Sequence, residues 1–327
     1  MNKLFSKWHA VVPAAALAFI LAFSCQGESR GNPSPAPNPN PPDPPNPPVQ
    51  TSFDGEKAFD HLEAQMAFGN RIPGTSAHVK CGDYIADTLR GLGLEVEEQA
   101  FSVTIRGREL PMRNIIGRLG WETAPRANVI LAAHWDTRPW ADQDIPANRD
   151  KPVPGANDGA SGVAVLLEMA RIFAAAPPPV GVELVFFDGE DYGPELSAMF
   201  IGSKYFADRL SNARIQSYKY GVLLDMIGDK SLQIKPETSS EAVASDVYAR
   251  IRSIAQELGY GAHFLGSPLQ SIIDDHIPLI EKGVPMYDLI DFDYPYWHTI
   301  QDTADKCSAE SLQIVGTVVS ALVYMED

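Results

Sequence analysis

The chain has 327 residues and carries 42 acidic against 26 basic side chains, a formal net charge of −16. This balance argues against nucleic acid as a partner, because nucleic-acid-binding surfaces are basic. We place the globular part at residues 51–327, a length that suits one large α/β domain.

The first 24 residues have the pattern of an export signal. Lys3 and Lys7 precede an apolar run at 10–23, which is too short to span a membrane comfortably. Small residues before Cys25 resemble the cleavage box of bacterial lipoproteins, in which that cysteine carries the lipid; an ordinary secretory signal is the alternative. We expect an exported protein that is anchored through Cys25 to a bacterial membrane, on its periplasmic or outer-membrane side.

Export has two consequences for the rest of the chain. Residues 25–50 form a tether rich in Pro and Asn, which cannot bury apolar surface and favours extended, polyproline-like conformations. An oxidising compartment would also allow Cys81 and Cys307 to pair, although the sequence does not decide whether they are close enough.

Strands and helices alternate along the globular part. Helical spacing and caps predict helices near 59–66, 76–92, 163–170, 202–210, 240–258 and 308–324, with Ser76 as one N-cap. Apolar, β-favouring runs predict strands at 94–105, 112–119, 129–133, 182–187, 221–225 and 284–290. This alternation predicts an α/β fold with three layers, α/β/α, around a mostly parallel, mixed central sheet.

Several of the predicted strands end in side chains that are able to bind a metal. In open α/β sheets the carboxyl ends of the strands border the ligand site. A capping, turn or surface role explains each of these residues singly, but seven at one edge favour a zinc site, because zinc binds carboxylate oxygen and imidazole nitrogen. The seven are His134, Asp136, Asp158, Glu190, Asp191, Asp225 and His298.

Five motifs in chain order carry a resemblance to a known superfamily. AAHWD, NDGASG, FFDGED, LLDMIG and WHT resemble the zinc aminopeptidase superfamily over nearly all of 53–327. The resemblance implies a phosphorylase/hydrolase-like fold. Within the superfamily, FFDGED, IGSKYFADRL, VLLDMIGDK and DDHIPLIEKGVP with YWHT look more like the glutaminyl-peptide cyclotransferases, or glutaminyl cyclases.

The resemblance implies a role for each matching residue of the metal site. Asp158, Asp191 and His298 match the three zinc ligands of the cyclases, which implies one zinc ion per chain. Asp191 is a departure, because the family usually has Glu at this position. Glu190 matches the catalytic acid/base.

The surroundings of the metal are also implied by the resemblance. Asp225 and Asp274 match two acids that form a hydrogen-bond network with the catalytic acid/base. Trp297 matches a wall of the substrate pocket. The second pocket tryptophan of the family has no clear match; Trp140 is a candidate for it, but a packed or exposed loop aromatic is an equal alternative.

The implied reaction is the cyclisation of N-terminal glutamine of peptides and proteins to pyroglutamate, with release of ammonia. Zinc would polarise the side-chain carbonyl, and Glu190 would move the proton from the α-amine to the leaving group.

The sequence leaves two other functions open. A two-zinc aminopeptidase would use His134 as a ligand of the second metal and Glu190 as the base for a water. A lipid-anchored binding protein would keep the fold without activity. The stretch from Asp274 and the presence of Trp297 favour the cyclase, and the intact ligand set argues against a mere binding protein.

Overall fold

Six strands form one sheet in the computed structural model, which describes residues 52–327; the predicted export signal, Cys25 and tether lie outside these residues. The strands are β1 (Glu95–Ile105), β2 (Arg108–Leu119), β3 (Asn128–His134), β4 (Gly181–Phe187), β5 (Tyr218–Asp225) and β6 (Met286–Ile290). Their order across the sheet is β1-β2-β4-β3-β5-β6. β3, β4, β5 and β6 run parallel, whereas β1 pairs with β2, and β2 with β4, in antiparallel fashion. The predicted mixed, mostly parallel sheet is confirmed.

Helices cover both faces of this sheet. They are α1 (Gly55–Ala67), α2 (Ser76–Gly91), α3 (Ala160–Ala175), α4 (Ile201–Ala207), α5 (Asn212–Ser217), α6 (Thr238–Glu257), α7 (His276–Glu281) and α8 (Ala309–Tyr324). Residues of α1, α2, α3, α6 and α8 belong to one hydrophobic core, and residues of α4, α5 and α7 pack into a second. The three-layer α/β/α architecture is therefore confirmed.

Strand β3 shows why the sequence reads as continuously apolar. Val129 and Leu131 point into the larger core, whereas Ile130 and Ala132 point into the smaller one. Successive side chains of a strand face opposite sides of a sheet, so a strand covered on both sides needs apolar residues at every position.

The structure differs from the predicted elements mainly at short or terminal segments. The two six-residue helices α5 and α7 were not predicted, because less than two turns leaves no periodic pattern to detect. Thr75, rather than Ser76, caps α2, since its side chain accepts the backbone N–H of His78 at 3.3 Å. The helix predicted at 202–210 already ends at Ala207.

The first and last helices of the described part are joined directly. Gln313 of α8 accepts the backbone N–H of Gly55 at 2.6 Å and donates to the carbonyl of Phe53 at 3.0 Å. The ring of Phe53 lies so close to Gly316 that a Cβ there would come within 2.1 Å of it. Glycine at this position therefore lets the segment before α1 pack against α8.

Neither a disulfide nor a membrane-spanning helix contributes to the fold of residues 52–327. Cys81 and Cys307 are both buried and free, so the pairing that export would allow is not formed. In the same part of the chain, no helix has the length and apolar character needed to cross a membrane.

Candidate active site

The carboxyl ends of the parallel strands meet at one edge of the sheet. His134 is the last residue of β3, and Asp225 is the last residue of β5. Glu190 and Asp191 lie in the loop after β4, and His298 lies in the loop after β6. All five side chains are buried, and the structure brings them together.

Asp158, Asp191 and His298 form a compact group of metal donors. His298 Nε2 lies 3.3 Å from Asp191 Oδ1 and 3.6 Å from Asp158 Oδ2, and one ligand atom of each residue lies within 4.8 Å of the others. Asp191 Oδ2 is buried without a hydrogen-bond partner. An orphaned acceptor of this kind is costly unless a cation satisfies it. Two carboxylates and an imidazole suit zinc, so the residues present fit this ion.

The two oxygens of Asp158 face different histidines. Oδ2 faces His298, whereas Oδ1 lies 3.1 Å from His134 Nε2. The same nitrogen of His134 is 3.3 Å from Asp225 Oδ1, and its Nδ1 is 3.7 Å from Glu190 Oε2. His134, Asp158 and Glu190 thus form a second group with the spacing of metal donors. Asp158 is common to both groups, as a carboxylate that bridges two metals would be.

Glu190 has the environment of a proton-transfer group. Burial raises its pKa well above the usual value; His134 opposes this rise, whereas the charges of Asp191 and Asp274 add to it. Its backbone N–H donates to Asp136 Oδ1 at 3.0 Å, which fixes the residue at the start of its loop. A carboxyl group whose pKa is raised in this way is able both to accept and to release a proton during a reaction.

Asp225 and Asp274 line the same cavity as Glu190. Burial raises the pKa of both, and for Asp274 the charge of Asp225 brings the value to about 7. Asp225 Oδ1 and Asp274 Oδ2 have no hydrogen-bond partner. Two neighbouring acids that disfavour each other's ionisation are able to share one proton.

A separate cluster of buried ionisable side chains, Glu237, His276 and Asp288, lies behind Asp274 at the start of α7. His276 Nε2 lies 3.2 Å from Glu237 Oε2, and its Nδ1 lies 3.6 Å from Asp288 Oδ2. All three side chains are fully buried. Glu237 also caps α6, so His276 connects α7 both to α6 and to the edge strand β6. The sequence marks His276 within the stretch DDHIPLIEKGVP and shows Asp288 as the lone acid in the apolar stretch of β6.

Trp297 lines the cavity beside these acids. The cavity has a volume of about 50 Å³, with an apolar wall that includes Ile272, Phe292 and Trp297. The ring centroids of Phe292 and Trp297 are 4.9 Å apart. The cavity is therefore small, and its lining combines carboxylates and His298 with apolar side chains.

The structure does not bring Trp140 into this cavity. Its ring stands edge-on to Tyr192 with centroids 5.7 Å apart, and the guanidinium of Arg106 lies 4.7 Å from the centre of its ring. Trp140 packs against a small apolar cluster that includes Met112. The sequence left open a pocket wall and a packed loop aromatic as roles for Trp140, and this position corresponds to the packed aromatic.

Two buried acids accept hydrogen bonds from the backbone N–H groups of the metal donors. Asp136 Oδ2 accepts the N–H of Asp191 at 3.2 Å, and Asp302 Oδ2 accepts the N–H of Asp158 at 3.1 Å. Asp302 Oδ1 also accepts the N–H of Asn157 at 2.9 Å. The sequence places Asp136 among the strand-end metal donors, but the oxygens of Asp136 accept the backbone N–H groups of Glu190 and Asp191. Asp302 was missed, because an acid in a loop carries no pattern that marks it as a backbone acceptor.

Asp188, the first acid after β4, does not belong to the site. Its carboxylate contacts His78 Nε2 at 2.8 and 2.9 Å and accepts the backbone N–H of Arg113 at 2.7 Å. The acids after β4 therefore differ in role: Asp188 stabilises the fold, whereas Glu190 and Asp191 face the cavity.

A larger open cleft, of about 490 Å³, lies among residues that include Asp229, Asp291 and Asp293. These acids have local partners: Asp291 Oδ2 accepts the N–H of Gln233 at 2.8 Å, and Asp293 pairs with Lys235. No group of metal donors lies there among the described residues. Volume alone therefore does not identify the reactive site.

The parallel strands that deliver carboxylates and imidazoles around Asp158 define a zinc aminopeptidase-like α/β protein. The chain belongs to peptidase family M28, whose model matches residues 114–323, more than half of the chain.

The solved structures and curated sequences that are similar to this chain include glutaminyl cyclases and an aminopeptidase. The glutaminyl cyclase of Bacteroides thetaiotaomicron, solved with bound N-acetylhistamine, has a TM-score of 0.79 and 34% identity, covering 85% of this chain and 100% of its own. The glutaminyl cyclase of Tannerella forsythia has a TM-score of 0.78 and 37% identity, covering 84% and 99%. An aminopeptidase of Bacillus subtilis is 30% identical over 180 residues, 52% of this chain. The chain spans only 37% of the length of that aminopeptidase.

Proposed function

We propose that this protein converts the N-terminal glutamine of peptides and proteins into pyroglutamate and releases ammonia. The observation that carries the proposal is the convergence of Glu190, Asp225 and Asp274 on one narrow cavity beside the donor group of Asp158, Asp191 and His298. The two glutaminyl cyclases that are similar over almost their entire length support it.

Asp158, Asp191 and His298 would hold one zinc ion. The unpartnered Asp191 Oδ2 and the spacing of the three side chains support this assignment. When bound, zinc polarises a carbonyl oxygen as a Lewis acid, which makes the carbonyl carbon of the glutamine side chain more reactive.

Glu190 moves one proton during the reaction. The α-amine of the substrate forms a bond to the side-chain carbonyl carbon, and the bond from that carbon to the amide nitrogen breaks. Glu190 accepts the proton that the α-amine loses and gives it to the departing nitrogen, which leaves as ammonia. Asp225 and Asp274 share a proton and hold the carboxyl group of Glu190 in its orientation.

The narrow cavity encloses the glutamine side chain. The flat ring of Trp297 and the apolar side chains of Ile272 and Phe292 line this cavity together with the acids. Because only one side chain has to enter, the remainder of the peptide stays outside. We therefore expect activity on glutamine-initiated peptides of many different sequences.

The alternative function is a two-zinc aminopeptidase, and the position of His134 favours it. His134 Nε2 lies between Asp158 Oδ1 and Asp225 Oδ1, at 3.1 and 3.3 Å. His134 does not line the cavity, however, whereas Asp274 and Trp297 do. This arrangement favours the cyclase, in which a carboxyl network rather than a second metal stands beside Glu190.

The decisive experiment measures the product mass after the full chain is incubated with a peptide that begins with glutamine. Loss of one ammonia is expected. Loss of the glutamine residue would support the aminopeptidase, and an unchanged peptide would contradict both functions. The same peptide with an acetylated α-amine is the matched control, and it should stay unchanged because its nucleophile is blocked.

We also propose that residues 1–24 direct export and that Cys25 carries a lipid. The support is the sequence pattern of a charged start, a short apolar run and small residues before a cysteine. Replacement of Cys25 by Ser should move the protein from the membrane fraction to the soluble fraction of the cells. A protein that stays in the membrane fraction after this replacement would contradict the anchor.

A further inference from the structure

Two charged residues that the sequence does not mark lie directly behind the donors Asp191 and His298. Arg138 is 2% exposed and donates from Nη1 to Asp191 Oδ1. Its Nε donates to Asp142 Oδ1 at 2.7 Å. Asp142 Oδ1 in turn lies 3.3 Å from His298 Nδ1. Close contacts between ionisable side chains therefore run from Asp191, through Arg138 and Asp142, to His298.

The backbone nearby leaves room for Arg138. Gly193 has a φ of 41°, and a Cβ at this position would come within 2.4 Å of Arg138 Nη1. Asp191 adds to the space, because it is one methylene shorter than glutamate. A small residue and a short acid thus flank the guanidinium group.

The segment that carries these residues also contacts the backbone of His298. Gln143, which follows Asp142, donates its N–H to the carbonyl of His298 at 3.3 Å. The loop after β3 therefore holds both the ring and the main chain of this histidine. His298 itself has a φ of 53°, a conformation that is uncommon outside glycine and that needs such support.

We propose that Arg138 and Asp142 are positioning residues of the metal site, which orient Asp191 and His298 and thereby set the affinity of the site for zinc. The inference deepens the proposed function and rests on the metal site named there. It goes beyond the donors themselves by assigning two residues that touch neither the metal nor the substrate.

The physical basis lies in how metal ligands are oriented. A metal-bound histidine usually donates its second ring N–H to a carboxylate, which fixes the tautomer and the direction of the ligating nitrogen. In the proposed arrangement Asp142 Oδ1, 3.3 Å from His298 Nδ1, accepts the proton of that nitrogen, so that Nε2 faces Asp158 and Asp191. Arg138 holds Asp142 and one oxygen of Asp191 at the same time, and its charge offsets part of the repulsion among the acids of the site.

The experiment compares zinc affinity, measured by competition with a chelator at fixed pH, in the full chain and its variants. Arg138→Met and Asp142→Asn should each weaken zinc binding by about 10- to 100-fold, the usual effect of removing a group that orients a metal ligand. Arg138→Lys should restore part of the affinity, because it returns the charge without the forked geometry. In a cobalt-substituted protein, Arg138→Met should also change the visible absorption spectrum of the metal.

Arg118→Met is the matched control. Arg118 donates to buried Glu183 at 2.7 Å, so this variant also breaks a pair between an arginine and a buried acid. Glu183 lies near the start of β4, at the end of the strand away from the site. The control should lower the thermal stability and leave zinc affinity and the cobalt spectrum unchanged.

A reciprocal substitution tests the pairing of Arg138 with the short acid. Asp191→Glu should weaken zinc binding while Arg138 is present, because the longer side chain meets the guanidinium. The double variant Arg138→Ala with Asp191→Glu should bind zinc more tightly than Asp191→Glu alone.

The outcomes separate this inference from the proposed function. Wild-type protein that binds no zinc would contradict the metal site and, with it, the role of Arg138. Wild-type protein that binds zinc, together with a folded Arg138→Met variant of the same affinity and cobalt spectrum, would overturn the inference alone.

Discussion

The indole ring of Trp297 stacks on the imidazole of His298, with centroids 3.8 Å apart and planes inclined by 26°. A wall of the cavity and a metal donor are thus consecutive residues whose rings support each other. The contact explains how a histidine in an unusual backbone conformation keeps a single direction. It also couples the shape of the cavity to the position of the donor.

Because Trp297 lines the cavity, its replacement should weaken substrate binding. Trp297→Ala removes the stacked ring, and aromatic pairs contribute about 0.5–1.5 kcal/mol beyond buried area. We expect KM for a glutamine-initiated peptide to rise roughly 10-fold, with Trp297→Phe closer to wild type. Steady-state kinetics of both variants check this, and an unchanged KM for Trp297→Ala would remove this residue from the pocket wall.

Glu190→Gln should yield a protein that binds zinc and peptide but is nearly inactive. Glutamine keeps the shape of the side chain and removes its ability to transfer a proton, so kcat should fall by about 100-fold or more. Zinc content, measured by elemental analysis, should stay at the wild-type level, because Glu190 is not among the three proposed ligands. Asp191→Ala is the contrasting variant and should lose zinc and activity together. Loss of zinc from Glu190→Gln would show that the roles of these adjacent acids are assigned wrongly.

Zinc should bind once per chain and stabilise the fold. We expect elemental analysis to find one ion, and free zinc at 100 times its Kd to add about 2.7 kcal/mol to the free energy of unfolding. Removal by a chelator should abolish activity, and one equivalent of zinc should restore it. Two ions at full occupancy, with His134→Ala losing one of them, would favour the aminopeptidase.

Asp302 should control the metal site through the backbone. Asp302→Ala leaves the N–H groups of Asn157 and Asp158 without their acceptor in a buried place, a loss of about 1–3 kcal/mol for each buried group. We expect lower thermal stability and weaker zinc binding. Tyr294→Phe is the milder comparison, because it removes only the hydroxyl that donates to Asp302 Oδ1 at 2.7 Å. Equal zinc affinity in wild type and Asp302→Ala would limit this acid to a stabilising role.

Removal of residues 1–50 should leave the catalytic domain intact. The sheet and the helices that cover it lie within 52–327, and a Pro-rich tether buries little apolar surface. A variant that starts at Thr51 should match the full chain in thermal unfolding and in kcat/KM. A variant that starts at residue 68 lacks α1 and should be much less stable, which makes it the matched control. Loss of activity in the first variant would place the domain boundary elsewhere.

The sequence predicts the sheet and the main helices well because buried parallel strands leave a strong signal. β3 and β4 are apolar at nearly every position; β3 ends in His134, and Glu190 and Asp191 lie in the loop after β4. The meeting of these donors follows from one rule of α/β folds, namely that parallel strands end at a common edge. The resemblance of the motifs added roles that spacing alone does not supply, such as the distinction between Glu190 and Asp191.

The remainder could not be predicted because it depends on contacts between distant loops. Asp302 accepts backbone N–H groups from the loop before α3, and Arg138 reaches an acid in the loop after another strand. Neither pairing has a periodic pattern or a fixed spacing along the chain. The packing of Trp140 on Tyr192 is of the same kind, since loop residues have no register that assigns them to a face.

The contact between α8 and the segment before α1 has a consequence for how the protein is made. Gln313, which binds the start of α1, lies 258 residues after Gly55 along the chain. Because α1 is synthesised before α8, α1 lacks this partner until the ribosome has made all the residues between them. The packing of α1 against α8 therefore forms late in the synthesis of the domain.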